Sequence, residues 1–108
     1  MSEPRLATGI EVSALLARAR DLGGFGAVIR RGDAERGSVM VLITDRGKTR
    51  FLLQRILQGN NDYAWEARET SDSEIVEQNL ARARDRDPDL WVIELDIPSP
   101  ERFIAEMT

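Results

Sequence analysis

Cysteine and histidine are both absent from the 108 residues. Without cysteine the chain has no disulfide, no thiolate nucleophile and no sulfur-based zinc site. Without histidine it has no imidazole to act as base, proton shuttle or metal ligand. A serine–histidine triad is excluded within this chain. Aromatic residues are sparse at 6%, so each tryptophan is worth following. No apolar run approaches the roughly 20 residues needed to cross a bilayer, and Met1–Ile10 lacks the basic start and hydrophobic stretch of a secretion signal. These absences lead to the expectation of a cytoplasmic protein with no membrane association.

What is present fits one folded domain over 1–108. Hydrophobic residues make up 42% and charged residues 31%, the balance of a globular chain, and the length suits a single core. The net charge of −4 is unevenly spread. Residues 27–69 carry eight basic groups against six acids, a local +2, whereas residues 70–108 carry ten acids against four arginines, a local −6. A phosphate-binding surface calls for a stronger basic excess, so nucleic acid is not an expected partner.

Val12, Leu15, Leu16, Ala19 and Leu22 recur at helical spacing, which predicts an amphipathic helix over Ile10–Leu22 with Thr8 as cap and Gly23-Gly24 as its end. Those glycines follow a helix and precede a strand, the reverse of a phosphate-cradling loop, and no cofactor is expected. Four strands follow, over Ala27–Arg31, Ser38–Thr44, Thr49–Leu57 and Tyr63–Arg68, separated by turn-forming residues that include Gln58-Gly59-Asn60-Asn61-Asp62. Connections this short predict a four-strand antiparallel meander. Val39, Val41 and Ile43 alternate with Met40 and Leu42, so the second strand is covered on both faces and lies centrally. The fourth strand alternates Tyr63, Trp65 and Ala67 with Ala64, Glu66 and Arg68, the pattern of an edge or half-exposed face.

Ser71 and Glu74 have capping-box spacing at the head of a second helix reaching about Asp85, and Pro88 disfavours helical geometry at Asp87. Leu90–Ile97 is then the last strand, and Ser99 heads a short helix carrying Phe103, Ile104 and Met107. The fold class that results is α+β: one mixed, mainly antiparallel sheet of about five strands, flanked by two longer helices and a short C-terminal one, in the order αββββαβα. The last strand enters the sheet through the helical crossover.

Few side chains offer chemistry. Arg31-Gly32-Asp33 spells an adhesion tripeptide, yet its position at a chain reversal requires glycine and aspartate for geometry alone. Glu94 and Asp96, two apart on one strand face, are the weak metal candidates, and Glu66 would make a three-carboxylate set if the strands brought it near. The element order resembles restriction-endonuclease-like nucleases, whose aspartate and acid-x-lysine pattern finds only Asp45 and Glu66-Ala67-Arg68 here, with arginine a poor stand-in for the compact lysine cation. Arg30, Arg31, Trp65 and Arg68 are the interaction candidates, Trp65 because tryptophan is enriched at binding hot spots. Trp91, alternating with Ile93 and Leu95, is expected in the core.

Arg30-Arg31-Gly32-Asp33 after an apolar strand, then Gly37, Trp65, the run Asp87-Pro88-Asp89-Leu90-Trp91-Val92-Ile93-Glu94 and the terminal Arg102-Phe103-Ile104 together resemble a family of small alphaproteobacterial proteins, domain of unknown function 1491. The resemblance spans nearly the whole chain and implies no catalytic or binding residue. Fourteen arginines against one lysine are compatible with a GC-rich bacterial genome. The expectation is a small interaction or regulatory module without catalytic activity, engaging an unidentified protein or a second copy of itself through an exposed sheet edge. Its alternative is a metal-assisted hydrolase built on Glu66, Glu94 or Asp96.

Overall fold

The computed structural model describes residues 7–57, 59 and 63–108, so most of the turn expected at 58–62 lies outside the described residues. The elements are α1 (Thr8–Asp21), β1 (Phe25–Arg30), β2 (Val39–Asp45), β3 (Lys48–Leu57), β4 (Tyr63–Glu69), α2 (Ser73–Arg86), β5 (Trp91–Asp96) and α3 (Pro100–Met107). The expected order αββββαβα and the single mixed five-stranded sheet are both observed.

The meander is not. The strands run β1-β5-β2-β3-β4, with β5 inserted between β1 and β2, antiparallel to the first and parallel to the second. The short β1–β2 connection does reverse the chain, as its length demands, but it also steps over a vacant strand position. The composition of β5 explains why that position is filled. Trp91, Ile93 and Leu95 point to one face and Leu90 and Val92, at its N-terminal end, to the other. A strand apolar along one face, and on both faces where it begins, is most stable in the interior of a sheet covered on both sides.

Three layers result. On one face, Val12 and Ala19 of α1 and Phe103 of α3 pack on Val39, Val41, Ile43, Leu53, Trp91, Ile93 and Leu95. On the other, Ala83 and Leu80 of α2 cover Met40, Leu42, Leu52, Leu90 and Val92. Burying a side chain of this size stabilises the fold by about 1.5–3 kcal/mol, so the alternation along β2 and β5 commits both faces to burial.

Helix ends differ in detail from the sequence reading. Ala7, not Thr8, occupies the N-cap position of α1, and Thr8 is buried, its hydroxyl donating to the Gly37 carbonyl at 2.7 Å. Asp72, not Ser71, caps α2 by accepting from the Glu74 and Ile75 amides. Its carboxylate satisfies two orphan donors and complements the helix dipole, which a serine hydroxyl does less well. Ser99 sits at the N-cap of α3 in a left-handed conformation and makes no side-chain cap bond.

Candidate interaction surface

The chain reversal at 31–38 and the segment 87–91 interlock at one end of the sheet. The Arg30 guanidinium, at the end of β1, donates to the carbonyls of Pro88 and Leu90. Asp33 donates its amide to Asp89 O at 3.0 Å, and its own carbonyl accepts from Trp91 Nε1 at 2.7 Å. Asp87 accepts from the Ser38 amide at 2.9 Å, and Ser38 O accepts from the Trp91 amide at 2.8 Å. Arg31 lies over the Trp91 ring, 5.7 Å from its centroid. A Cβ at Gly32 or Gly37 would run into the Asp89 carbonyl, so only glycine allows the two segments to approach this closely.

The carboxylates here are held ionised. The Asp33 carboxyl sits below its ordinary range because the Glu35 and Arg36 amides donate to it, with a smaller contribution from the Arg36 charge. At Asp87, partial burial pushes upward, but bonds from Ser38 and Asp89 and the nearby Arg30 charge outweigh it and the net shift is down. Arg30 and Arg31 are therefore built into this lock.

Asp96 has a comparable task. Arg46 and Gly47 are the central residues of the β2–β3 hairpin, both at positive φ, 53° and 81°. A two-residue hairpin turn of this type requires that geometry, and a non-glycine residue resists it. Asp96 holds the turn by accepting from Gly47 N at 2.8 Å, Thr44 Oγ1 at 2.9 Å and Arg46 N at 3.2 Å. Its pKa is lowered, chiefly by the Gly47 amide, against a smaller opposing effect of burial.

Glu94 is half-buried beside Leu42, which pairs with Leu52, which pairs with Arg68. Arg68 on β4 is thus three strands from Glu94, about 14 Å at the usual strand spacing, and Glu66 lies two residues further along. Glu66, Glu94 and Asp96 share a sheet face without meeting. Among the described residues, no three acidic side chains come close enough to hold a metal ion. Trp65 is half-buried at the margin of the core, where the Arg55 guanidinium covers its ring at 4.8 Å and also pairs with Glu11 of α1.

The surface that stands out is one the sequence left unmarked. Among the described residues β1 pairs through one edge only, and Phe25, Val28 and Ile29 are 59%, 44% and 58% exposed. Edge strands are ordinarily guarded by charge, proline or a bulge, and of these β1 has a bulge at Ile29, where its register with β5 shifts. The opposite edge, β4, carries Glu66, Arg68 and Glu69, whereas Phe25–Ile29 has no charged residue at all. Beside β1, on the α2 face, lies a groove of about 290 Å³ lined by Ile29, Arg30, Glu77, Leu80, Ala81, Arg84 and Val92. The available signal was the five-residue uncharged run, but reading Phe25 as part of the glycine connection concealed it.

Among known proteins, a model of the family described as protein of unknown function (DUF1491) matches residues 6–105. The crystal structure of a DUF1491 family protein from Caulobacter crescentus CB15 is similar at 34% identity and a TM-score of 0.71, covering 83% of this chain and 86% of that one. An NMR structure of a DUF1491 family protein from the same organism matches at 33% identity and a TM-score of 0.76, covering 90% of each chain. A solution structure of an A. tumefaciens protein matches at 29% identity and a TM-score of 0.75, over 89% of each. No curated protein matches.

Proposed function

The chain belongs to the DUF1491 family of proteins of unknown function, and from that premise we propose that it is a small cytoplasmic interaction module that engages its partner by strand addition to β1. The observation that carries this reading is the uncharged, exposed β1 edge, Phe25–Ile29, set beside a groove that can receive alternate side chains of an added strand. Main-chain hydrogen bonds along such an edge supply affinity, and the groove supplies selectivity. Dispersal of Glu66, Glu94 and Asp96 disfavours the hydrolase alternative, and the bonds to Asp96 give that carboxylate a structural task. Among the described residues no helix is long and apolar enough to cross a membrane.

The test is capture of partners from the native cell by the tagged protein and by its Ile29→Lys variant. A partner, another copy of the chain included, retained by the parent and lost by the folded variant is the expected result. If the parent captures nothing and sediments as a monomer, the module reading fails.

A further inference from the structure

Resting on the strand-addition reading, we propose that the occupant of the β1 edge is a second copy of this chain, paired antiparallel about a two-fold axis through Ala27. The residues of β1 are self-complementary in that register. Ala27 meets its own symmetry mate and Gly26 meets Val28, while Phe25 lies across from Ile29, the residue at which β1 bulges out of register with β5. Ile29 forms part of the groove wall under α2. Its cross-strand neighbour, the partner's Phe25, therefore falls at the mouth of that groove, whose α2 wall is Glu77, Leu80, Ala81 and Arg84. Symmetry repeats the contact in the other direction, as an isologous interface requires.

Size and charge favour a copy over a free peptide. A five-residue strand alone falls short of the roughly 800 Å² per partner typical of a stable interface, so the occupant must bring surface on at least one side of the sheet. A second copy brings its own α1. Leu16 of α1 sits over Gly26, and by the 100° advance per residue Ser13 and Arg20 lie on the same flank, opposite Glu11 and Arg18, which reach β3 and α3. The two-fold sets that flank beside its counterpart. Although each chain carries a net charge of −4, the five strand residues that meet bear none, so the paired strands themselves set no like charges opposite each other.

The cysteine-free chain allows a direct test of register. In Ala27→Cys, the two thiols of the pair face each other, and mild oxidation is expected to cross-link them roughly tenfold faster or more than Glu66→Cys on the opposite edge. Sedimentation equilibrium of the parent is expected to give twice the 12.2 kDa of one chain, and Phe25→Lys to give one. A parent that stays monomeric, or an Ala27→Cys chain that cross-links no faster than Glu66→Cys, overturns the proposal. If the monomeric parent nevertheless captures a different protein that Ile29→Lys releases, the second copy is ruled out while strand addition stands.

Discussion

Asp96 holds a turn whose backbone geometry is unfavourable for Arg46, and the consequence is measurable. Asp96→Ala leaves the Arg46 and Gly47 amides and the Thr44 hydroxyl without their acceptor, and the expected loss is about 1–2 kcal/mol, reduced from a buried case because water reaches the turn. Thermal unfolding of the variant should fall by roughly 4–8 °C per kcal/mol for a domain of this size. Asp96, Asp33, Asp87 and Glu101 all have folded pKa values below their ordinary ones. Their contribution to stability is therefore complete above the ordinary carboxylate pKa near 4 and is lost as pH falls through the lower folded values, since the unfolded chain binds the protons more readily. Urea midpoints measured from pH 6 to pH 2 should fall with acid, and less steeply for Asp96→Asn than for the parent. Parallel profiles would mean that Asp96 does not contribute.

At the scale of elements, the lock between 31–38 and 87–91 joins the end of β1 to the start of β5, and α1 is tied into it by the bonds of Thr8 and Gly9 to Gly37 O and Ala34 O. Gly37→Ala places a methyl group against the Asp89 carbonyl, where neither backbone can yield cheaply, and about 2 kcal/mol or more of stability should be lost in denaturant unfolding. A second tie is the pair of Glu11 with Arg55, whose side chains are 15% and 12% exposed. Arg55→Leu leaves the Glu11 carboxylate nearly buried without this partner and uncovers Trp65. The expected cost is about 3 kcal/mol, to be compared with a smaller loss for the double variant Glu11→Gln, Arg55→Leu, because no carboxylate charge is then deprived of this guanidinium. Helices and strands of this lock were legible from periodicity and from Pro88. Their docking was not, because the side-chain bonds that join the two segments span 49 to 60 positions of the chain, and nothing local distinguishes Asp33 as a turn former from Asp33 as the acceptor for Trp91.

For the whole molecule, sheet order sets a gradient of protection. β5 and β2 are paired with strands on both sides, whereas β1, among the described residues, has a neighbouring strand, β5, on one side only. Amide exchange should be slowest in β2 and β5 and fastest in β1 and β4, and slow exchange along the outer amides of β1 at high protein concentration would mark strand addition. Sequence by itself determined the eight elements, the α+β class, the coverage of both faces of β2 and the burial of Trp91, because each follows from local period and the cost of exposing apolar surface. It also determined which chemistries are missing, since residue types that are absent cannot act. Tertiary structure alone decided that β5 separates β1 from β2, that Asp96 serves a hairpin, that Glu66 lies far from Glu94, and that the uncharged run Phe25–Ile29 lies on a sheet edge. These depend on which distant segments become neighbours, a choice made by the joint burial of two sheet faces that no window along the chain contains.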